Sequence, residues 1–317
     1  MAKKRQIQYS GIGGQAVLEG VMMKNKTKYA VAVRKPDGDI DVQIEEYQGV
    51  CGEKKFVKLP LIRGVFAFID SLVLGMKVTM HSASFYEEEE EAAKEETKKP
   101  SGGKADDIMM GVTVAVSVVI AVALFMLLPF LISDLLGKYI RNASLVAILE
   151  GTLRILIFVG YIVSISLMKD IRRLYMYHGA EHKCINCIER GRPLTVKNVM
   201  RSSRQHKRCG TSFLLFVVLV SVIVFFFIRV DNMVLKLVLR LLLVPVIAGI
   251  SYEIIRIAGK SNNILIRIIS APGMWMQRLT TKEPDEDMVM VAIASVEAVF
   301  DWKAYLTETF GYEADDL

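Results

Sequence analysis

The longest uncharged run in the chain is IMMGVTVAVSVVIAVALFMLLPFLIS, which extends from Ile108 to Ser133. A helix rises about 1.5 Å per residue, so a run of this length exceeds the roughly 30 Å hydrocarbon core of a bilayer. The whole chain has a mean hydropathy of +0.36 and 52% hydrophobic residues, although 23% of its residues are charged. Apolar and charged residues must therefore be segregated, and we predict that Ile108–Ser133 spans a membrane.

Three further segments have the length and hydropathy of a span: Leu145–Met168, Thr211–Ile228 and Val234–Ile257. The middle one is uncharged, whereas the other two contain charges, among them Glu150, Arg154 and Arg240. An unpaired charge inside a bilayer costs from about 2.5 kcal/mol upward, so we expect Glu150 to pair with Arg154, Arg240 or both. The sequence thus predicts a mainly α-helical membrane protein with four transmembrane helices and additional interfacial helices.

Lysine and arginine are concentrated on one side of the predicted spans. Lysines precede the first span and many Lys and Arg lie between the second and third spans, whereas the other two connections contain only Lys138, Arg141 and Arg229. The positive-inside rule therefore places both termini and residues 169–211 in the cytoplasm, in a multipass protein of the plasma membrane. The net charge of +6 fits contact with anionic lipid headgroups better than a nucleic-acid surface. Cysteines on this side face a reducing compartment, which favours free thiols or metal ligation.

The rest of the chain divides by composition. Strand-like segments at 29–33 and 40–44 flank the turn signal Pro36-Asp37-Gly38-Asp39, which predicts a hairpin. Closely spaced glycines in Gly11–Gly20 match neither a phosphate loop nor a dinucleotide fingerprint, and we interpret them as a tight turn entering a strand. We predict five regions, listed here: a β-rich cytoplasmic unit at 1–60, an interfacial or bundle-packed helix at 61–86, a disordered charged linker at 87–107, the transmembrane region at 108–257, and an interfacial segment with an amphipathic acidic tail at 258–317.

The cytoplasmic loop at 169–211 holds three of the four histidines and three of the four cysteines. One interpretation takes His178-Gly179-Ala180-Glu181-His182 as an H-x-x-E-H motif on a helix. Histidines four residues apart project from one face and can hold one metal ion, while Glu181 could take a proton from metal-bound water. A third ligand would come from His206 or Cys209, and zinc is the expected divalent metal.

A second interpretation pairs Cys184-x-x-Cys187 with His206-x-x-Cys209. The interval between the two pairs is typical of a closed structural zinc site with four protein ligands. On spacing alone this alternative is the stronger signal, because two such arms seldom coincide by chance. The residues alone do not decide between these two sets of metal ligands.

Four motifs, distributed over nearly the whole chain, are GGQAVLEGVMM, HGAEHK, HKRCGTSFL and GISYEIIRIAG. Together they resemble the YqhQ-like family of bacterial multipass membrane proteins, whose function is unknown. The resemblance implies a metal-dependent enzyme. In the family pattern the positions of His178, Glu181, His182, His206 and Cys209 match, whereas those of Cys184 and Cys187 need not be cysteine. The resemblance therefore favours the first interpretation.

Two functions are compatible with the sequence. The first is a metal-dependent membrane hydrolase that acts on a peptide or lipid-linked substrate at the cytoplasmic interface, with Glu181 as general base. The alternative is a scaffold or assembly factor, in which a structural zinc site stabilises the loop and a basic surface contacts lipid headgroups, a translocon or a ribosome. A transporter is less well supported, because no inverted repeat is visible.

Overall fold

The computed structural model describes residues 7–52, 54–93, 104–228, 230, 232–260, 263–313, 315 and 317. The described part is mainly helical and contains one antiparallel sheet near the N-terminus. The strands are β1 (Ile12–Val17), β2 (Gly20–Asn25), β3 (Lys28–Arg34) and β4 (Ile40–Glu46). The α-helices are α1 (Ile62–Ala93), α2 (Lys104–Val122), α3 (Leu128–Gly137), α4 (Ala143–Ser166), α5 (Lys169–Glu189), α6 (Val196–Met200), α7 (Gly210–Phe226), α8 (Met233–Lys260), α9 (Ile264–Thr280), α10 (Glu286–Val299) and α11 (Trp302–Phe310).

The sheet has the order β1-β2-β3-β4, so every pair of neighbours is a hairpin. The hairpin predicted around the Pro36–Asp39 turn is confirmed as β3 and β4, and the glycine-rich segment forms β1 and the start of β2. One face packs Val17, Met22, Val31 and their neighbours against Leu74 and Val78 of α1. The opposite face packs against α5 and α10. The N-terminal sheet and a C-terminal helix therefore share one hydrophobic core.

Three helical segments are long and apolar enough to cross a membrane, namely Gly111–Gly137, Ala143–Ser166 and Met233–Gly259. They coincide with three of the four predicted spans and indicate membrane association. The fourth predicted span corresponds to α7, an apolar helix of 17 residues. Its length of about 26 Å is shorter than the hydrocarbon core. The four-span architecture therefore stays a prediction where α7 is concerned.

Glu150, Arg154 and Arg240 form a buried cluster between these helices, and each is at most 6% exposed. Arg154 donates to Glu150 at 2.6 Å, while Arg240 donates to both Glu150 oxygens at 2.7 and 2.8 Å. The expected pairing is confirmed with both arginines. The rings of Phe130 and Phe225 lie 4.7 and 5.1 Å from the Arg240 guanidinium, which adds cation–π stabilisation.

A π-helical turn, Ala123–Leu127, joins α2 to α3 just before Pro129. Proline has no N–H to donate to the carbonyl four residues earlier, which here belongs to Phe125. Arg154 donates its Nε–H to that carbonyl at 3.1 Å. The helix irregularity thus supplies an acceptor that the buried guanidinium needs.

Both ends of the predicted linker at 87–107 are helical, because α1 continues to Ala93 and α2 begins at Lys104. Residues 94–103 lie outside the described residues. The predicted amphipathic acidic tail contains two helices in the described residues, α10 and α11. Asp285 and Asp301 cap these two helices by accepting from Met288 and Ala304, which explains where each begins.

Candidate metal centre

Helix α5 presents His178 and His182 on the same side, one turn apart, with ring centroids 4.4 Å from each other. It begins at Lys169 as a separate helix, directly after α4 ends at Ser166. Residues four apart on a helix lie above one another, so the spacing in the sequence is sufficient to bring both imidazoles together. Two of the sequence-predicted ligand positions are therefore adjacent.

Cys209 reaches the same place from the second arm of the loop. It is the residue that precedes α7, and its Sγ lies 3.2 Å from His178 Nε2. One ligand atom from each of His178, His182 and Cys209 lies within 4.8 Å of the others. The second arm is held by Gln277 of α9, which accepts from the His206 N–H and donates to its carbonyl, both at 2.7 Å.

Both histidines are oriented by hydrogen bonds to backbone carbonyls. Nδ1 of His178 lies 2.8 Å from the Thr280 carbonyl, and Nδ1 of His182 lies 2.7 Å from the Arg204 carbonyl. A carbonyl can only accept, so each Nδ1 carries the hydrogen and, in a neutral ring, Nε2 keeps its lone pair. Metal-binding histidines usually have this arrangement, in which the outer nitrogen is fixed by a second partner.

The thiol and the imidazoles also interact electrostatically. Burial alone would raise the pKa of Cys209, but the neighbouring His178 and His182 lower this pKa well below its ordinary value. Burial opposes charge on His178 as well, yet Cys209 raises the pKa of His178 to about 9. These pKa shifts favour a thiolate on Cys209 next to an imidazolium on His178, and a metal ion would replace the imidazolium proton.

Glu181 lies beside these three residues and is 5% exposed. Burial raises the pKa of its carboxyl group, while electrostatic interactions with His178 and His182 and a hydrogen bond from the Gly14 backbone oppose the increase. Its Oε2 atom has no hydrogen-bond partner within the described part of the chain. A buried acceptor without a partner is costly, which marks this oxygen as a candidate for a chemical role.

Gly14 is a residue of this site that the sequence interpretation missed. A Cβ at this position would lie 2.9 Å from Cγ of Glu181 and 2.6 Å from the Met22 carbonyl oxygen. Only glycine lets β1 approach α5 closely enough for its backbone to contact Glu181. The glycine-rich motif was the available signal, but nothing local in the sequence connects it to α5.

The closed site proposed from Cys184, Cys187, His206 and Cys209 is not assembled in the described residues. Cys184 and Cys187 are fully buried among apolar side chains of α10 and the sheet, and Cys187 donates to the carbonyls of Arg192 and Pro193. At 3.6 residues per turn they lie on the opposite side of α5 from the two histidines. Burial raises the pKa of Cys187 to about 11, so this thiol stays protonated.

His206 does not join the group of three either. Its ring centroid lies 5.8 Å from that of His182, and its Nε2 lies 3.3 Å from Oε2 of Glu189. Glu189 is 1% exposed and also accepts hydrogen bonds from Ser10 and Arg208. Burial would raise the pKa of Glu189, but His206 and Arg208 lower it to about 2. The contacts of Glu189 with His206 and Arg208 hold the second arm of the loop next to the candidate metal centre.

Comparison with known proteins identifies relatives without assigning an activity. Residues 59–302 match the family described as "Protein of unknown function (DUF1385)". The chain is 36% identical over 287 residues to "Uncharacterized protein YqhQ" of Bacillus subtilis (strain 168), covering 89% of this chain and 90% of that protein. No solved structure matches the chain. The resemblance to a YqhQ-like uncharacterised family is thereby confirmed.

Proposed function

The chain belongs to the DUF1385 family, and we propose that this member is a metal-dependent membrane enzyme. His178, His182 and Cys209 hold a divalent metal ion, expected to be zinc. Glu181 is the general base. The reaction is a hydrolysis at the cytoplasmic face of the plasma membrane, and both termini lie on that side.

One observation carries the proposal: a set of three ligand atoms within 4.8 Å of one another adjoins a buried carboxylate oxygen that has no partner in the described residues. Structural zinc sites in proteins are closed by four protein ligands, whereas catalytic sites use three and keep a fourth position open. The set of His178, His182 and Cys209 has the three protein ligands typical of a catalytic zinc site.

Two imidazole nitrogens and a thiolate suit zinc, a borderline-soft ion that accepts both donor types. A zinc ion bound there would supply Lewis acidity toward a carbonyl or phosphoryl oxygen and would acidify water. The Thr280 and Arg204 carbonyls hold the two imidazoles through Nδ1, and Nε2 of His178 lies 3.2 Å from Sγ of Cys209. Ligand geometry is thereby set before any ion binds.

Glu181 has the properties of a group that accepts a proton and returns it. Burial raises the pKa of its carboxyl group above the ordinary value, so this carboxylate is a stronger base than an exposed glutamate. Oε2 is the atom free to take the proton. The backbone of Gly14 holds the carboxylate in place from the side of β1.

The alternative function is a non-enzymatic scaffold whose metal stabilises the loop and whose basic surface contacts a translocon or a ribosome. Strong burial favours it, because His182 and Cys209 are only 1% and 5% exposed. A substrate must reach the metal, whereas a structural ion needs no access. The substrate of the proposed enzyme would be a peptide or a lipid-linked molecule at the bilayer surface.

The ligand set is tested by metal analysis of protein purified in detergent, using inductively coupled plasma mass spectrometry. His182→Ala and Cys209→Ser should lose the ion, and Glu181→Gln should keep it, because a base can be removed without removing a ligand. The matched controls are His81→Ala and Cys51→Ser, which change the one histidine and the one cysteine that lie outside residues 169–211. Metal that survives both ligand substitutions would refute the proposed centre.

Cobalt substitution separates the two functions. Acetohydroxamate should change the visible spectrum of the Co²⁺ protein if the ion has an open position, and Cys209→Ser should remove the sulfur-to-cobalt charge-transfer band. A spectrum that does not respond to acetohydroxamate would indicate a closed site and favour the scaffold.

A further inference from the structure

A cleft of about 400 Å³ lies between the sheet and α1, on the other side of β1 from the metal centre. Its walls are the glycines and Gln15 of the first strand, the second strand with the turn that follows, and one face of α1. The residues that line it are Gly11, Gly13, Gly14, Gln15, Met22, Lys24, Lys26, Ala67, Asp70, Ser71 and Leu74. Its volume is in the range of small-molecule sites.

Gly13 contributes open space to this cleft. This residue lies on the side of β1 that faces α1, as do Gln15 and Val17. A Cβ at Gly13 would meet no atom within 4 Å, whereas a Cβ at Gly75 of α1 would meet Gln15 at 2.7 Å. Strand and helix are therefore in contact at Gln15 and separated at Gly13.

Two lysines and one aspartate, namely Lys24, Lys26 and Asp70, line this cleft, so its formal charge is +2 − 1 = +1. Lys24 is half-buried, and among the described residues neither Lys24 nor Lys26 has a carboxylate within ion-pair distance. Burial lowers the pKa of Lys24, and Asp70 opposes this effect only in part. Asp70 accepts from the Tyr47 hydroxyl at 3.1 Å and from the Val50 N–H at 2.7 Å. The Lys24 ammonium lies 4.7 Å from the centroid of the Tyr47 ring, a cation–π contact that leaves its N–H groups able to donate to an anionic ligand.

Gln15 and Ser71 also line the cleft, together with the apolar side chains of Met22, Ala67 and Leu74, so the cleft offers a charged end and an apolar wall. The opposite face of α1 exposes Ile69, Leu72 and Val73, between 36% and 48% each. An apolar helix face of this kind suits contact with a bilayer surface, where phosphate headgroups are abundant.

We propose that this cleft binds the phosphate group of an amphipathic ligand, with Lys24 and Lys26 contacting the phosphate and Met22, Ala67 and Leu74 contacting its apolar part. The site is separate from the metal centre and goes beyond the proposed hydrolase. The two sites share β1, since Gly14 lines the cleft and its backbone contacts Glu181.

The test is calorimetric titration of the full chain in dodecyl maltoside with dioctanoyl phosphatidate, inorganic phosphate and dioctanoylglycerol, which lacks the phosphate. We expect phosphatidate to bind and dioctanoylglycerol not to bind. Lys24→Gln with Lys26→Gln should weaken phosphatidate binding about tenfold or more, because charge-assisted contacts are lost. Gly13→Leu should abolish it by filling the cleft without straining the backbone.

Matched controls keep the test specific. Lys28→Gln removes a lysine near the same turn that does not line the cleft, and Gly160→Leu adds the same side chain at another glycine with open space around it. Both should bind like the unmodified protein. His182→Ala should also bind normally, so failure of the metal proposal would not affect this result.

If phosphatidate binds and inorganic phosphate does not, the ligand is a lipid phosphate. If inorganic phosphate binds equally well, the cleft recognises the phosphate group and the acyl chains add no affinity. Either outcome supports the phosphate assignment if the lysine and Gly13 variants weaken it. Absence of binding by both phosphates, or binding unchanged in Gly13→Leu with an unchanged melting temperature, would overturn it.

Discussion

At Gly14 the absence of a side chain determines how closely β1 approaches α5. The neighbouring Gly13 has the same backbone role in the strand, but its missing side chain faces open space. These adjacent glycines therefore separate two effects that glycine substitutions usually combine, namely strand propensity and steric fit.

Gly14→Ala should destabilise the protein by about 1–3 kcal/mol, which is typical of forced overpacking. The new Cβ would lie 2.6 Å from the Met22 carbonyl and 2.9 Å from both Glu181 Cγ and Met23 Sδ. Thermal melts in detergent would measure the change, with Gly13→Ala as the control that should melt like the unmodified protein. Equal melting temperatures for the two variants would mean that β1 does not approach α5 as described.

The buried cluster around Glu150 contains two guanidinium groups and one carboxylate. Removing Arg240 leaves a neutral pair of Glu150 and Arg154, whereas removing Glu150 leaves two unpaired cations. Breaking a buried pair in that way costs about 3–5 kcal/mol.

Arg240→Met should therefore melt at a higher temperature than Glu150→Ala, since methionine can also pack against Phe130 and Phe225. Lys236→Met, one turn away on α8, is a control with little expected effect. An Arg240→Met variant that melts at or below Glu150→Ala would show that Arg240 has a role beyond pairing with Glu150.

At the scale of elements, α5 combines two functions on opposite faces. One face carries His178 and His182, and the other packs Cys184 and Cys187 into the core. The spacing C-x-x-C is therefore, in this helix, a consequence of two small buried positions one turn apart.

We predict that Cys184→Ser combined with Cys187→Ser keeps the bound metal at unchanged stoichiometry. The double variant should lose stability, because each buried hydroxyl costs about 1–3 kcal/mol when it lacks a good partner. Metal analysis together with thermal melts would separate the two effects. Loss of the ion from a protein that still melts cooperatively would favour the closed four-ligand site.

The parts of this site that could be predicted from sequence are those set by local spacing. His178 and His182 follow from helical periodicity, and the β3–β4 hairpin follows from its turn residues. The contribution of Gly14 and the position of α10 depend on contacts between residues far apart in the chain, which no periodicity encodes. His206 was a reasonable ligand candidate by spacing, but Glu189 and Arg208 surround its ring.

At the scale of the whole molecule, the orientation in the membrane is open to a direct test. Asn142 caps α4 in the connection after α3, and the Lys/Arg distribution predicts that this connection is outside the cell. In a Cys51→Ser background, Asn142→Cys should react with an impermeant thiol reagent on intact cells. Asp39→Cys, on the exposed β3–β4 turn, should react only after lysis.

Cys209 cannot serve as the inner reporter, because it is 5% exposed and its thiol contacts His178. Labelling of Asp39→Cys on intact cells would reverse the assigned orientation and place the metal centre outside the cytoplasm. The measurement tests whether the candidate span Gly111–Gly137, which lies between the two reporter positions, crosses the bilayer.

The packing of α10 has a consequence for biosynthesis. The sheet is complete at Glu46, yet one of its faces is covered by α10, which begins at Glu286 and bonds back through Ser295 to the Ala30 carbonyl at 3.0 Å. All three candidate spans of the described residues are translated between these two segments. After synthesis of the sheet, the face that α10 will cover therefore stays exposed until translation has passed the last candidate span. We expect ribosome-bound chains that stop before Glu286 to depend on chaperones, and the metal centre to mature only after membrane insertion.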